Sequence, residues 1–368
     1  MGLRSLDSGI AGMSVNQQKL DVISNNISNS DTVAFKSSSV KFQDLLSQSI
    51  SGAQGNSANQ GGINGNSIGL GVKLGSIDID DTQGSMSATG SATNLGIDGD
   101  GYFMVEKGPI IYADDAIKVN NVDTDPIASD HTIDATTLSS SGAQIYYTRD
   151  GSFHIDNAGN LVNSNGLRVM GYAVSAGTGG DSTTPPSPGS QFSIDTTKAG
   201  KVLFVDATGG TEADPTVVVA QDTNLKSIII PTEVYPDDSS TTPLKITKIS
   251  IDQKGLITAT LSDKSQTAIG QIAMASFSNP KGLNATGGNL YEVTTNSGNA
   301  ITRTGTGTAA NDNSNAYGKT NSGYVEASNV DLTRQFTDMI TTTKAFQANG
   351  KTITNADTIL QTIINLKQ

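Results

Sequence analysis

Apolar residues recur every seven positions near both ends of the 368-residue chain. A seven-residue spacing keeps one side of an α-helix apolar and suits left-handed packing against another helix. The pattern therefore predicts a helix at each end, with the apolar rows at contacts between helices or between subunits. The N-terminal row consists of Leu6, Met13, Leu20 and Ile27, and the C-terminal row of Leu332, Met339, Phe346, Ile353 and Leu360.

Two arrangements of these terminal helices fit the pattern. Each helix could cover the core of its own domain, or the two could pair and leave residual apolar rows for neighbouring subunits. Their position favours pairing, because both rows lie outside a middle region that has its own apolar alternation. Helices with little charge and leftover apolar surface are typical of assembly elements.

The middle of the chain alternates short aromatic or β-branched runs with glycine-containing turns. Residues 102–105 follow the turn at 98–101, and residues 152–155 lie between turns at 150–151 and 157–160. Such spacing is typical of β-hairpins. The predicted fold class is a mainly β middle flanked by paired, coiled-coil-like N- and C-terminal helices, in a multi-domain chain.

The composition predicts where this chain divides. We predict terminal helices over 1–36 and 324–368, connecting segments over 37–75 and 302–323, a β-rich domain over 76–175 and 245–301, and an inserted, small β-rich or loop-rich segment over 176–244. Both terminal segments are electrically neutral, so the net charge of −12 lies between them, as do all ten prolines.

The charge and residue counts exclude several kinds of partner. Nucleic acid is not expected, because phosphate binding needs clustered Lys and Arg, whereas 35 acidic residues outnumber 23 basic ones. With two histidines and no cysteine, no metal or other cofactor is expected. No apolar run reaches the roughly 20 residues of a membrane helix, so membrane insertion is not expected. The first residues lack the apolar region of a signal peptide.

One sequence pattern resembles a catalytic motif. Residues 65–69 fit the G-x-S-x-G pattern around Ser67, which serves hydrolases at a strand-to-helix turn. Here the pattern lies in a tract of Ser, Gly, Asn and Gln, so no catalytic residue is predicted and the chain is not expected to be an enzyme. A β-rich cell-surface adhesin remains an alternative.

Several motifs together resemble the bacterial flagellar hook and rod protein family. Near the N-terminus they are Asn25, Asn26, Asn29, Phe35 and Lys36; near the C-terminus they are Ser328, Asn329, Val330, Asp331, Leu332, Gln347 and Asn349; between them they are the runs 99–103, 147–153 and 166–172. Ala34 occupies a position where the family usually has glycine, and Gln335 one where an acidic residue is common.

This resemblance implies a structural subunit of a tube on the bacterial surface. Its terminal helices would form the inner tube, with the β-rich domain and the segment 176–244 further out. The implied partners are other copies of the chain in a helical homopolymer, rod, hook-cap and hook–filament junction proteins, and the type III export apparatus. The implied location is the extracellular hook and basal body of the flagellum, reached without a cleaved signal peptide.

Within the family, the chain is expected to form the hook, a flexible universal joint that transmits torque from rod to filament. The extra length at 108–145 and 176–244 favours this reading, because distal rod proteins are typically shorter. The glycine-rich segment 52–69 instead resembles an insert associated with the distal rod protein, which stays the alternative. The lysine-based cross-link of some hook proteins needs cysteine and is not expected.

Overall fold

A computed structural model describes residues 2–56, 61–109, 117–120, 132–133, 138, 141–176, 218–235, 242–303 and 318–366. The chain divides into two compact units. The ends of the chain, Met1–Thr82 and Ser328–Gln368, form one, which we call the terminal unit. Gln83–Ala327 forms the other, which we call the β unit.

The terminal unit contains two long helices, α1 (Gly2–Ser28) and α2 (Leu332–Leu366). They pack antiparallel, since Gly9 lies against Ile353 while Lys19 reaches Asp338, with 3.8 Å between its Nζ and Oδ1. Among the described residues, neither helix contains an apolar stretch long enough to cross a membrane.

A long two-stranded ribbon, residues 38–56 and 61–79, completes the terminal unit. Its strands are β1 (Ser38–Asp44), β2 (Ser47–Ser51), β3 (Asn66–Gly69) and β4 (Val72–Ile79). β1 pairs with β4 and β2 with β3, all antiparallel. The amide of Leu45 donates to the Gly71 carbonyl (2.9 Å) between the two pairings, so they follow one another along a single ribbon.

The β unit holds the remaining strands. They are β5 (Met86–Ala88), β6 (Leu95–Asp98), β7 (Tyr102–Lys107), β8 (Ile117–Asn120), β9 (Thr132–Ile133), β10 (Gln144–Thr148), β11 (His154–Ile155), β12 (Leu161–Val162), β13 (Arg168–Ala176), β14 (Val218–Ser227), β15 (Glu233–Val234), β16 (Leu244–Ile251), β17 (Leu256–Leu261), β18 (Gln266–Ile272), β19 (Met274–Ser276), β20 (Asn284–Gly287), β21 (Leu290–Glu292), β22 (Ile301–Arg303), β23 (Lys319–Ser322) and β24 (Tyr324–Glu326). A short 3₁₀ turn occupies Pro280–Gly282.

Strand β7 lies at the centre of the β unit. It pairs antiparallel with β10 on one side and with β13 and β19 on the other. Its alternate side chains enter two apolar clusters: Tyr102 and Met104 belong to one, Phe103 and Val105 to the other. Because successive side chains of a strand point to opposite faces, β7 is covered on both sides. The β unit therefore buries a core of its own.

The predicted fold class is confirmed. β-structure is the main regular structure and accounts for 41% of the residues, with one helix near each end of the chain. The helices are shorter than the predicted segments 1–36 and 324–368. After Ser28 the amide of Asn29 still bonds back to the Asn25 carbonyl, but the chain then turns. Before α2, β24 pairs with β5 instead of extending the helix.

The predicted connecting segment 37–75 is largely ribbon, which was not predicted because the Ser, Gly, Asn and Gln tract at 51–69 has no periodicity. Large parts of the predicted segments 176–244 and 302–323, namely 177–217, 236–241 and 304–317, lie outside the described residues. The division into domains stays a prediction.

Candidate assembly surface

Helices α1 and α2 meet through small side chains. On α1 the buried positions include Gly9, Gly12 and Val15, and on α2 Thr342 and Ala356 are buried. A Cβ added at Gly12 would lie only 2.7 Å from Asn349 Nδ2. Gly9 and Gly12 leave room for the side chains of Ile353 and Asn349, while Val15 and Ile23 are the buried apolar side chains of α1.

The predicted N-terminal row lies beside this contact. Leu6, Met13, Leu20 and Ile27 are all half-buried. Met13 follows Gly12, and Ile27 follows the buried Asn26. Since each residue turns an α-helix by about 100°, the row lies about a quarter-turn from the line of contact with α2.

The predicted C-terminal row lies nearer the contact with α1. Met339, Phe346, Ile353 and Leu360 are half-buried, and Ile353 lies next to Gly9. Leu332, in the first turn of α2, is exposed. A role for either row in contacts between subunits stays a prediction.

The terminal unit exposes many large apolar side chains that the heptad rows do not include. On the helices, apart from Leu332, these are Ile10, Phe336, Ile340, Ile359, Ile363, Ile364 and Leu366. On the ribbon they are Phe42, Leu46, Ile50, Ile63, Ile68, Leu70 and Ile77. In the described part of the β unit, the exposed large apolar residues are Ile155, Val293 and Tyr324. Large exposed apolar surfaces of this kind mark interaction sites.

The N-terminal family residues join the end of α1 to the start of the ribbon. Asn26 is buried; its Nδ2 donates to the Ser38 carbonyl (2.8 Å) and its Oδ1 accepts the Ser38 amide (3.0 Å). The same Nδ2 lies 3.3 Å from Gln335 Oε1, where the family often has an acidic residue. Asn29 Nδ2 donates to both the carbonyl and Oδ1 of Asn25 (3.0 Å each).

Asn329 ties the start of the C-terminal segment to the same region. Its Oδ1 accepts the Ser37 amide (2.8 Å), and its Nδ2 donates to the carbonyls of Asp80 (2.8 Å) and Thr82 (3.0 Å). The buried Lys36 also donates to the Thr82 carbonyl, at 2.8 Å. Asn329 and Lys36, nearly 300 residues apart in sequence, therefore share one acceptor, so both motifs contribute to one local structure.

The other residues of the family motifs near the C-terminus, together with Phe35, have local roles or local surroundings. Asp331 Oδ1 caps α2 by accepting the amides of Thr333 (2.9 Å) and Arg334 (3.2 Å). Ser328 Oγ accepts the Val330 amide at 3.3 Å. Phe35 and Asn349 are half-buried and Gln347 is exposed.

Ala34 is buried with φ +56°, in the left-handed region. Glycine adopts this conformation without a steric penalty, which explains the usual residue of the family at this position.

A buried ion pair in the β unit was not predicted from the sequence. Arg149 and Glu326 are 3% and 0% exposed, with 3.1 Å between Nη1 and Oε2. Arg149 also donates to the carbonyls of Gly101 (2.9 Å) and Gly99 (2.6 Å), and its guanidinium lies 5.5 Å from the centre of the Tyr102 ring. The guanidinium of Arg149 therefore joins two of the family motifs, the runs 99–103 and 147–153, to Glu326 of β24.

The structure gives no support to a hydrolase site. Ser67 lies on the exposed strand β3 opposite Ser49, not at a turn between a buried strand and a helix. No three His, Asp or Glu residues within the described ranges come together in a way that could hold a metal ion.

Three family models match the chain. They are described as "Flagella basal body rod protein" (residues 6–36), "Flagellar hook protein FlgE/F/G D1 domain" (137–259) and "Flagellar basal body rod FlgEFG protein C-terminal" (321–366). The flagellar basal-body rod protein FlgG of Bacillus subtilis (strain 168) is 35% identical over 367 residues, which cover 100% of both chains. The chain belongs to the flagellar hook and rod axial protein family.

Hook proteins of the axial family are also similar to this chain. FlgE of Treponema pallidum (strain Nichols) is 28% identical over 508 residues, covering 100% of both chains. FlgE of Salmonella typhimurium (strain LT2) is 24% identical over 459 residues, covering 99% of this chain and 100% of the relative. The crystal structure of Helicobacter pylori flagellar hook protein FlgE2 aligns with a TM-score of 0.36 and 11% identity, over 66% of this chain and 100% of that one.

The terminal family models cover the segments that contain Asn26, Lys36 and Asn329. The resemblance expected from the sequence motifs is thus confirmed, and with it the assignment to structural proteins of the flagellar hook and rod.

Proposed function

We propose that this chain is the structural subunit of a flagellar hook, which self-assembles into a flexible tube and transmits torque from rod to filament. The observation that carries the proposal is the uneven distribution of apolar surface. The β unit buries two apolar clusters, whereas the terminal unit leaves large apolar side chains exposed along both α2 and the ribbon.

Covering this surface supplies a driving force for assembly. Full burial of one Leu, Ile or Phe side chain stabilises by about 1.5–3 kcal/mol. Association costs roughly 4–15 kcal/mol in lost freedom of motion, so burying several of these side chains against neighbouring copies offsets that cost. A two-stranded ribbon is also marginally stable by itself, and a neighbouring subunit would stabilise it.

In the assembly, the terminal units would pack into the inner tube and the β units into a more polar outer layer. Apolar contacts in the inner tube would hold subunits together, while wet, polar contacts outside would permit bending. Rod, hook-cap and hook–filament junction proteins would contact the two ends of the tube. The subunit would reach the bacterial surface through the type III export apparatus, without a cleaved signal peptide.

The distal rod protein is the second candidate, and two observations favour it. The rod protein FlgG of Bacillus subtilis shares 35% identity, against 28% for the hook protein of Treponema pallidum. The hook alignment also runs over 508 positions, so that relative has insertions which this 368-residue chain lacks. In favour of the hook stands the expectation from chain length, which rests on the segments 108–145 and 176–244.

Electron microscopy of the purified full-length chain in polymerising salt tests the proposal. We expect tubes, curved for a hook and straight for a rod. A chain that stays monodisperse at high concentration, as an adhesin would, overturns the assembly function altogether.

A pair of matched variants tests the assembly surface. Phe336→Gln with Ile340→Gln removes exposed apolar side chains from α2, and we expect unchanged circular dichroism but no tubes. Ile155→Thr with Val293→Thr makes a similar change on the β unit and should still polymerise. Normal tubes from the α2 variant would show that this face is not an assembly contact.

A further inference from the structure

Glu106 of β7 is a buried carboxylate with few partners. Its side chain is 0% exposed. The hydroxyl of Ser227 donates a hydrogen bond to Oε1, while Oε2 has no hydrogen-bond partner in the described structure. Arg168 Nη1 is 3.9 Å from Oε1, too far for a hydrogen bond, and donates instead to the Gly108 carbonyl at 2.8 Å.

These contacts favour the protonated acid over the carboxylate. A buried anion needs several donors to replace its hydration, and one hydroxyl with a distant guanidinium does not suffice. Burial raises the pKa of Glu106 to about 7, and the Ser227 hydrogen bond and the Arg168 charge offset only part of this rise.

Glu106 lies where an inserted segment joins the central sheet. β13 ends at Ala176 and β14 begins at Val218, so these two paired strands flank the residues 177–217 in the sequence. Ser227 is the last residue of β14 and pairs with Met170 of β13. Immediately afterwards the Ile228 amide donates to the Val169 carbonyl at 2.8 Å. The Glu106–Ser227 hydrogen bond therefore joins β7 to the base of this inserted segment.

We propose that Glu106 is a proton-operated latch, which holds the junction of β7, β13 and β14 closed while protonated and loosens it when the proton is lost. The charged group that faces Glu106 is Arg168 from β13. β10 places Ile145 opposite it and β14 contributes the Ser227 hydroxyl. Lys226 precedes Ser227 on β14, and the exposed Lys107 follows Glu106 on β7.

The sign of the pH effect follows from proton linkage. In an open junction, Glu106 would be solvated and would titrate near its ordinary value of 4.5, against about 7 when closed. The closed state therefore holds its proton over a pH range where the open state has lost it, so closure weakens as pH rises through that range. With these two values, the opening equilibrium constant increases about 30-fold between roughly pH 5.5 and 8.5, mostly below about pH 7.

Hydrogen exchange of the full-length chain tests the latch. The protein is kept below its assembly concentration, and the rates are corrected for intrinsic exchange. For amides of the β13–β14 pairing and of Ile228, we expect protection to fall about 30-fold over this pH range and to level off above about pH 7. Glu106→Gln cannot ionise and should give constant protection. Glu292→Gln, at a half-buried carboxyl of β21, should retain the wild-type profile.

Ser227→Ala gives an independent test that does not depend on folding of the Glu106 variant. It removes the hydrogen bond that favours the ionised form, so the midpoint of the profile should move to higher pH. A flat wild-type profile, a pH dependence that persists in Glu106→Gln, or a midpoint that stays or moves down in Ser227→Ala would each overturn the latch.

Discussion

Replacement of Arg149 by Met should destabilise the β unit severely. Arg149 and Glu326 are 3% and 0% exposed, so the variant leaves a buried carboxylate without its cation. Breaking a buried ion pair in this way costs about 3–5 kcal/mol. The carbonyls of Gly99 and Gly101 lose their guanidinium donor as well, which places the expected loss toward the upper end of that range.

Urea unfolding, followed by circular dichroism and by tyrosine emission because the chain has no tryptophan, measures this loss. Lys41→Met is a matched control, because Lys41 forms an ion pair with Asp78 on the ribbon while 67% exposed. An exposed pair contributes about 0–1 kcal/mol. Adding Glu326→Gln to Arg149→Met should recover part of the loss, since the unpaired charge is then removed.

The outcome that refutes this reasoning is a small effect. If Arg149→Met costs no more than Lys41→Met, the buried guanidinium does not hold the β unit together. If the double variant is as unstable as the sum of the two single variants, Arg149 and Glu326 are not energetically coupled.

Two further substitutions test other parts of the structure. Gly151→Ala should prevent the β unit from folding normally, because an added Cβ would overlap the Leu95 carbonyl oxygen; near-native thermal stability would contradict the close approach. Asn329→Ala should destabilise the terminal unit by about 1–2 kcal/mol, because the part-buried Ser37 amide loses its acceptor, while the exposed carbonyls of Asp80 and Thr82 can bond water instead. Helix loss in urea at 222 nm measures the second change, and a midpoint equal to that of the wild type would refute it.

The sequence was sufficient for features with a local signal. Seven-residue spacing predicted the two helices, and glycine-containing turns between short apolar runs predicted the β-rich middle. Asp331 is of a residue type that favours the N-cap of a helix, and its carboxylate accepts amides of the first turn of α2.

Other features had no local signal. The ribbon depends on pairing between segments far apart along the chain. β1 and β4 do alternate apolar and polar residues, but the Ser, Gly, Asn and Gln tract at 51–69 has no periodicity, so the ribbon was not predicted. The partners Arg149 and Glu326 are 177 residues apart, and only the folded β unit brings them together. The contact of Gly9 and Gly12 with α2 was also missed, because glycine carries no hydrophobic signal although these two positions lie against Ile353 and Asn349.

The contact of Gly9 and Gly12 with α2 suggests how α1 and α2 can pair within one chain and still leave apolar surface for assembly. If the N-terminal row of Leu6, Met13, Leu20 and Ile27 faced α2 directly, pairing of the helices would bury it. Contact through Gly9 and Gly12 instead leaves these side chains half-buried at the margin of the pair, while Phe336 and Ile340 are exposed on α2. The two helices therefore pack together at Gly9 and Gly12 while large apolar side chains such as Phe336 and Ile340 stay exposed. In the proposed assembly, a neighbouring copy would bury this exposed apolar surface.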